Sequence, residues 1–476
     1  MHPIHGTSMK HNFYLCALSL YLFALGAQEA LARETYSKRA DLLAVYQAAS
    51  LNDARLSAAR HTYQAQLEAT PQARSGLLPS LTAGATTEVT QLDRDEPALS
   101  RERSSTTFRA NLSQPLFRID RWYQLKAAEF TVSQAALELS AKEQELILTA
   151  AQAYFETLRQ LDARAAAEAE EAALLRQRDQ AQGRLEDGAS SITDVYDAQA
   201  AYDNARANRQ LIQRKVDDAY EALYRLTKNS YDSLDGMGHQ LPVIPPNPNN
   251  PVLWVDAAIK QNLQLQAAEH AVSAAEQTLR QRKAGHAPTV DAVVSYRTGN
   301  NDGFGYSNPA ESGTGGYRGN VAQSSIGVEL SIPLYSGGMV NSQVRESTER
   351  LYQSQDEQED RRREVVLNTR NAFRGINSDI EQIAARRQSI RSGRKSVEAN
   401  KVGVDIGSRN VVDVLNAERQ LYAAVRDYND ARYDYILDNL KLKQAAGSLS
   451  PDDLRSLSAY LNHDYDPSRD FLPPDI

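Results

Sequence analysis

Leu112-Ser113-Gln114-Pro115-Leu116-Phe117 and, a little over two hundred residues later, Leu330-Ser331-Ile332-Pro333-Leu334-Tyr335 mark the same transition twice. Upstream of each proline, apolar and polar residues alternate; downstream, apolar residues recur at every seventh position. Period two belongs to a strand with two unlike faces, and period seven to a helix that supercoils left-handedly around its neighbours. The chain therefore reads as one strand-to-long-helix unit, made twice.

Upstream, Phe108, Ala110 and Leu112 oppose Arg109, Asn111 and Ser113, and before them Leu81, Ala83, Ala85, Thr87 and Val89 oppose Thr82, Thr86, Glu88 and Thr90. The second half repeats this with Val290, Ala292, Val294 and Tyr296, then with Ala322, Ile326, Val328, Leu330 and Ile332. Strands are expected over 79–91, 105–114, 288–297 and 321–332. Residues 92–105 and 298–320 between them read as polar loops like those outside transmembrane barrels. The edge of a soluble β-sandwich is the competing reading of the alternation alone.

Downstream, no proline falls between Pro115 and Pro242 or between Pro333 and Pro451. Helices are expected over 119–186, 192–229, 338–404 and 410–447, the first about 100 Å long at roughly 1.5 Å per residue. Such a length persists only when a seam is buried. The seam is Leu125, Val132, Leu139 and Leu146 in the first half. In the second it is Ile376, Ile383, Ile390, Val397 and Val404, then Val414, Leu421, Tyr428, Tyr435 and Leu442. Alanine-rich stretches such as 161–175 let helices approach closely, which suits a tube of packed helices as well as a two-stranded coil.

The duplication extends further. Gly76-Leu77-Leu78-Pro79-Ser80-Leu81 answers Gly285-His286-Ala287-Pro288-Thr289-Val290, and residues 188–195 answer 407–414. Each half runs helix, strand, loop, strand, very long helix, tight turn, helix. The first repeat spans 33–241 and the second 252–450, joined over 242–251 by a proline-dense strap. Residues 1–32 read as a signal peptide: Lys10 and His11 precede the apolar run 13–27, and Ala30-Leu31-Ala32 offers a cleavage site before Arg33. The single cysteine, Cys16, falls inside that run, so a mature chain has neither disulfide nor thiolate metal site. The tail, 451–476, reads as partly disordered, with no legible function.

Composition sets limits. Of 476 residues only 41% are apolar and 7% aromatic, which suits long helices better than large globular cores. A net charge of -8 argues against nucleic acid. Beyond the N-terminus no apolar run is long enough for a transmembrane helix, so a membrane role requires strands. Four strands cannot close a membrane barrel, since even small ones use about eight. Three copies sharing one barrel would supply twelve.

Gly337-Gly338-Met339-Val340-Asn341-Ser342-Gln343-Val344, directly after Pro333-Leu334-Tyr335, resembles the TolC family of outer-membrane efflux proteins. The likeness runs from Asp41-Leu42-Leu43-Ala44-Val45-Tyr46 to Gly447-Ser448-Leu449. It takes in Ala153-Tyr154-Phe155, Ile192-Thr193-Asp194-Val195 and Val411-Val412-Asp413-Val414-Leu415. It implies a mainly α fold with a small β part: a long coiled-coil-like α-helical barrel plus four strands per chain in a shared 12-stranded transmembrane β-barrel of a homotrimer. It also implies an outer-membrane exit duct extending into the periplasm, for tripartite efflux or type I secretion. The partners implied are a periplasmic adaptor, an inner-membrane RND, ABC or MFS transporter, and outer-membrane lipid.

The two helix-to-helix turns are the sharpest candidate site. Gly188 and Gly407 suit the left-handed conformation that ends a helix, and Ser191-Ile192-Thr193-Asp194 and Asn410-Val411-Val412-Asp413 resemble capping boxes. Asp194 and Asp413 could serve those caps alone. Under threefold symmetry an inward Asp413 would also form a carboxylate ring that favours cations. The resemblance matches Asp413 to an acidic constriction at the periplasmic mouth, and Arg409 and Asp194, with Thr193, to the network that closes it. Asn416 stands where the family has a second acid, and Val404 where it has a tyrosine, so the expected mouth is less acidic and less tightly latched. Arg184, Leu185, Gly188, Ala189, Gly407 and Ser408 resemble adaptor-docking tips. Pro115 and Pro333 are expected as strand-to-helix hinges.

No catalytic group, cofactor or metal is expected: the eight histidines are scattered, and Gly315-Gly316 lacks a phosphate-loop lysine. Two rival readings remain. A general porin leaves the long helices unexplained, and a periplasmic coiled-coil tether leaves the strands unexplained. The exported substrates are not written in the chain.

Overall fold

The computed structural model describes residues 37–94, 99–239, 241–300 and 320–473. The expected signal peptide, Cys16 and most of the 298–320 loop lie outside them. In chain order the elements are β1 (Ser37–Ala40), α1 (Leu42–Asn52), α2 (Ala54–Leu67), α3 (Ala69–Ser75), β2 (Ser80–Arg94), β3 (Leu99–Phe117), α4 (Ile119–Glu186) and α5 (Ile192–Thr227). Then come β4 (Tyr231–Leu234), β5 (Gly236–Met237), α6 (Pro251–Gln261), α7 (Leu263–Lys283), β6 (Thr289–Asn300) and β7 (Asn320–Ser331). The chain ends in α8 (Met339–Asp405), α9 (Val411–Ala445), α10 (Pro451–Ser458), β8 (Leu461–Asn462) and α11 (Pro467–Asp470). The fold is mainly α with a small β part, and no described helix is long and apolar enough to cross a membrane.

The single helix expected ahead of the strands is broken in both halves, and at equivalent places. Asp53 accepts from the Leu56 amide at 2.7 Å and starts α2, while Asn262 accepts from Leu265 at 3.1 Å and starts α7. A short polar side chain that satisfies an orphan amide ends one helix and begins another where periodicity alone shows no break.

One compact unit comprises residues 58–142 and 254–368. It holds a four-stranded antiparallel sheet in the order β2-β3-β6-β7. Leu81 pairs Leu112, Leu112 pairs Val294 and Val294 pairs Ile326, so four apolar residues line up across all four strands. Directly opposed residues share a face, and the neighbouring row, Thr82, Asn111, Ser295 and Ser325, is polar throughout. The apolar face is open: Phe108 is 55% exposed and Ile326 83%. β2 and β3 stay paired to Arg94↔Leu99, which replaces most of the loop expected over 92–105 with ladder. Ladder bonds join backbone to backbone, so a charged stretch can carry them, while hydropathy marks only the part whose two faces meet different surroundings.

The other unit comprises the remaining described residues, including 143–253 and 369–473. Tyr154, Phe155 and Tyr433 are fully buried at its centre. The Phe155 and Tyr433 rings stand 6.0 Å apart, and the Tyr154 hydroxyl donates to the Asp235 carbonyl at 2.6 Å. Beside them Asp162 is sealed from solvent, and burial pushes its carboxyl up to about 6 against the hydrogen bonds of Tyr465 and Tyr433. The inter-repeat strap has no helix or strand over 241–250. Tyr435 fixes it by accepting from the Ile244 amide at 3.0 Å and donating to the Ile244 carbonyl at 2.9 Å.

The tail overturns the expectation of partial disorder as far as residue 473. It contains α10, β8 and α11, and it buries Leu454, Tyr465 and Phe471. Those three anchors follow no period and sit among acidic residues, so they resemble linker in sequence. The Tyr465 hydroxyl meets Asp162 from the first half of the chain, and the Phe471 carbonyl accepts from Asn429, 42 residues earlier.

Candidate functional site

α4 ends at a turn in which Gly188 adopts φ +72 and Ala189 donates to the Arg184 carbonyl at 2.7 Å. α8 ends likewise, with Gly407 at φ +74 and Ser408 donating to the Gly403 carbonyl at 2.8 Å. A side chain in that conformation strains the backbone by about 1 kcal/mol or more, hence glycine in both. Gly403 serves a different need. A methyl group there would press within 2.6 Å of Arg409 Cγ.

Both capping boxes form. Asp194 Oδ2 accepts from the Ser191 amide at 3.1 Å and the Ser190 hydroxyl at 2.8 Å, and Ser191 Oγ lies 2.6 Å from Thr193 Oγ1. Asp413 Oδ2 accepts from the Asn410 amide at 3.3 Å, while its own amide donates to Asn410 Oδ1 at 2.9 Å. Each carboxylate keeps part of its surface open to solvent. Arg409, in the turn just ahead of α9, stands 3.9 Å from Asp413 in the first turn of that helix. Asn416 is exposed and accepts from Arg419 at 2.7 Å. Arg409 and Asp194 are thus engaged separately in one chain, each with its own turn.

The two turns are joined by residues the sequence assigned elsewhere. Val404 packs on a cluster that includes Leu174, Ala181, Ala198, Val411 and Leu415, so residues of all four long helices meet there. Arg184, placed at a docking tip by sequence, reaches the other turn. Its Nη2 donates to the Val404 carbonyl at 3.3 Å, and Nη1 lies 3.6 Å from Asp405. Only 27% of the Arg184 side chain is exposed. Sequence reasoning missed Glu418, which is buried beside Lys401 at 2.9 Å. One acid on a charged helix carries no mark of which face it takes.

The hinge prolines differ. Pro115 lies within β3, paired with Asp291, and the register shifts between Pro115 and Phe117. Arg118 then bonds Asp291 at 3.2 Å and Asp120 at 3.3 Å, joining strand to helix. Pro333 lies between β7 and α8, a connection that also holds Gly337 at φ +63 and Gly338 at φ +83.

A sheet with an open apolar face, on a chain of paired long helices, restricts the relatives it can have. The sequence matches the outer membrane efflux protein family over residues 45–228 and 254–448. The chain belongs to that family. It is 33% identical to the outer membrane protein TolC of Escherichia coli (strain K12) over 427 residues, 90% of this chain and 86% of that one. It is 28% identical to the alkaline protease secretion protein AprF of Pseudomonas aeruginosa, over 88% of this chain and 86% of that one. Of solved structures, the CmeC outer membrane channel of Campylobacter jejuni superposes with a TM-score of 0.73. It covers 89% of this chain and 90% of that one at 14% identity, a likeness of fold. This efflux-family protein is an outer-membrane exit duct for efflux and type I secretion, working with adaptor and transporter partners. Neither the porin nor the tether reading accounts for strands and long helices together.

Proposed function

We propose that three copies of this chain close one twelve-stranded barrel in the outer membrane, and that the paired turns form a periplasmic mouth engaged by an adaptor and an RND, ABC or MFS transporter. One observation carries the reading: among the described residues, the four-stranded sheet leaves the outer sides of β2 and β7 without a strand partner while exposing an apolar face. Unpaired edges invite further pairing, and in lipid an open edge is not tolerated. Because the strands alternate in direction, β7 of one copy runs antiparallel to β2 of the next, so a ring of copies continues the ladder. The polar row of Thr82, Asn111, Ser295 and Ser325 then faces the lumen. Cross-linking in intact outer membranes should give a ladder ending at three subunits. A mature monomer in the periplasmic extract would end this reading.

At the mouth, Asp413 gives a ring of three carboxylates, and Arg184 fills the place left by the missing tyrosine by holding the two turns of one chain together. A half-exposed ion pair with one carbonyl bond contributes about 1 kcal/mol. Arg184→Ala should therefore raise the resting conductance of purified channels in planar bilayers several-fold without loss of trimers. Unchanged conductance would return Arg184 to a docking role.

A further inference from the structure

As far as residue 473 the C-terminal tail is ordered, yet nothing in the duct function uses it. β8 pairs with β5 through Gly236↔Asn462 and Met237↔Leu461. The Tyr465 ring lies directly on Gly236, where a methyl group would overlap it. The Tyr465 hydroxyl donates to Asp162 Oδ1 on α4, and Tyr433 of α9 donates to Oδ2 of the same carboxylate at 2.7 Å. Arg432, also on α9, donates to the carbonyls of Met237 at 2.9 Å and Gly238 at 2.7 Å. Asn429, one turn earlier, donates to the Phe471 carbonyl at 2.9 Å. Arg39 donates to the Tyr465 carbonyl at 3.2 Å, and His239 Nε2 lies 2.8 Å from the Asp470 carbonyl.

Both oxygens of the buried Asp162 carboxylate are taken, by Tyr465 and Tyr433, and a buried carboxylate held from two sides has one good arrangement and is costly to leave unpaired. Ties nearer the turns are simpler: the buried carboxylates of Glu170 and Glu418 each meet a single, more exposed cation, Arg426 and Lys401, at 2.9 Å. Arg386–Asp427 at 2.9 Å and Arg184–Asp405 at 3.6 Å are partly solvated ion pairs, which break cheaply. Stiffness therefore falls from the level of Asp162 toward the turns.

We infer that residues 459–473 are a clasp, fastened by the Tyr465 hydroxyl on the Asp162 carboxylate, which fixes α4 of the first half to α9 of the second and is the anchored end from which the two turns move. The clasp rests on the reading of those turns as a mouth. Tyr465→Phe keeps the ring over Gly236 and removes only the hydroxyl. Gly236→Ala displaces the ring itself.

The test uses full-length trimers and two readouts. Trypsin cleavage after Arg469, whose side chain is 64% exposed, reports local release of the tail. Planar-bilayer recording reports the mouth. Tyr465→Phe should speed cleavage about tenfold and Gly236→Ala more, with trimers intact on unheated gels, because a hydrogen bond to a buried carboxylate is lost. Both variants should also raise the frequency of spontaneous openings several-fold. Unchanged cleavage in Tyr465→Phe overturns the latch. Faster cleavage with unchanged openings overturns the anchoring role, provided Arg184→Ala alters them. If neither Tyr465→Phe nor Arg184→Ala changes the openings, the anchoring role is overturned, and the mouth reading falls as well if Asp413→Asn leaves cation block unchanged. Should Gly236→Ala not assemble, Tyr465→Phe decides the matter alone.

Discussion

Phe108→Arg should strip assembled trimers from the outer membrane. Phe108 sits midway along β3, in a row with Ala85, Thr298 and Ala322, on the face that carries Leu81, Leu112 and Ile326. An arginine facing lipid near the midplane costs about 2–4 kcal/mol, and three copies bring the penalty to roughly 6–12 kcal/mol per pore. That is comparable to the whole stability of a typical domain. The control is Ser325→Arg, one strand position from Ile326 and therefore on the opposite, polar face. It should leave the yield nearly unchanged, since a lumen keeps the guanidinium wet. Outer-membrane fractions run unheated on denaturing gels provide the measurement. Equal trimer yield from both variants would show that neither face meets lipid.

The second large effect is electrical. Asp413→Asn should weaken block by multivalent cations in planar bilayers by about tenfold or more, because a ring loses three negative charges at its narrowest point. Asparagine keeps an oxygen able to accept from the Asn410 amide, so the start of α9 survives and the effect isolates charge. Arg409→Ala should shift block the other way by removing the cation that stands 3.9 Å from Asp413. If Asp413→Asn conducts and is blocked like the parent, the carboxylate serves the helix cap alone.

How far these sites could be read in advance depended on the range of the interactions that make them. The turns were legible because their chemistry is local: Gly188 and Gly407 supply the left-handed step, and Ser191 and Asn410 bond within three residues of themselves. Asp53 and Asn262 are local too, yet they escaped notice because an N-cap inside an apolar helical pattern leaves the periodicity intact. Arg184 could not be placed from sequence. Its partners, Val404 and Asp405, lie in the other half of the chain.

The amino-acid order alone marked the four two-faced strands and the four long helices and showed the unit twice, while the short strands β1, β4, β5 and β8 carry no period long enough to read. Periods of two and seven are properties of neighbouring residues. Tertiary structure decided that four apolar residues from four strands fall into one row, that Arg184 bridges the turns, and that Tyr465 from the tail reaches Asp162. Each joins residues far apart in the chain, and contacts of that range are set by how helices and strands pack, which no local pattern encodes.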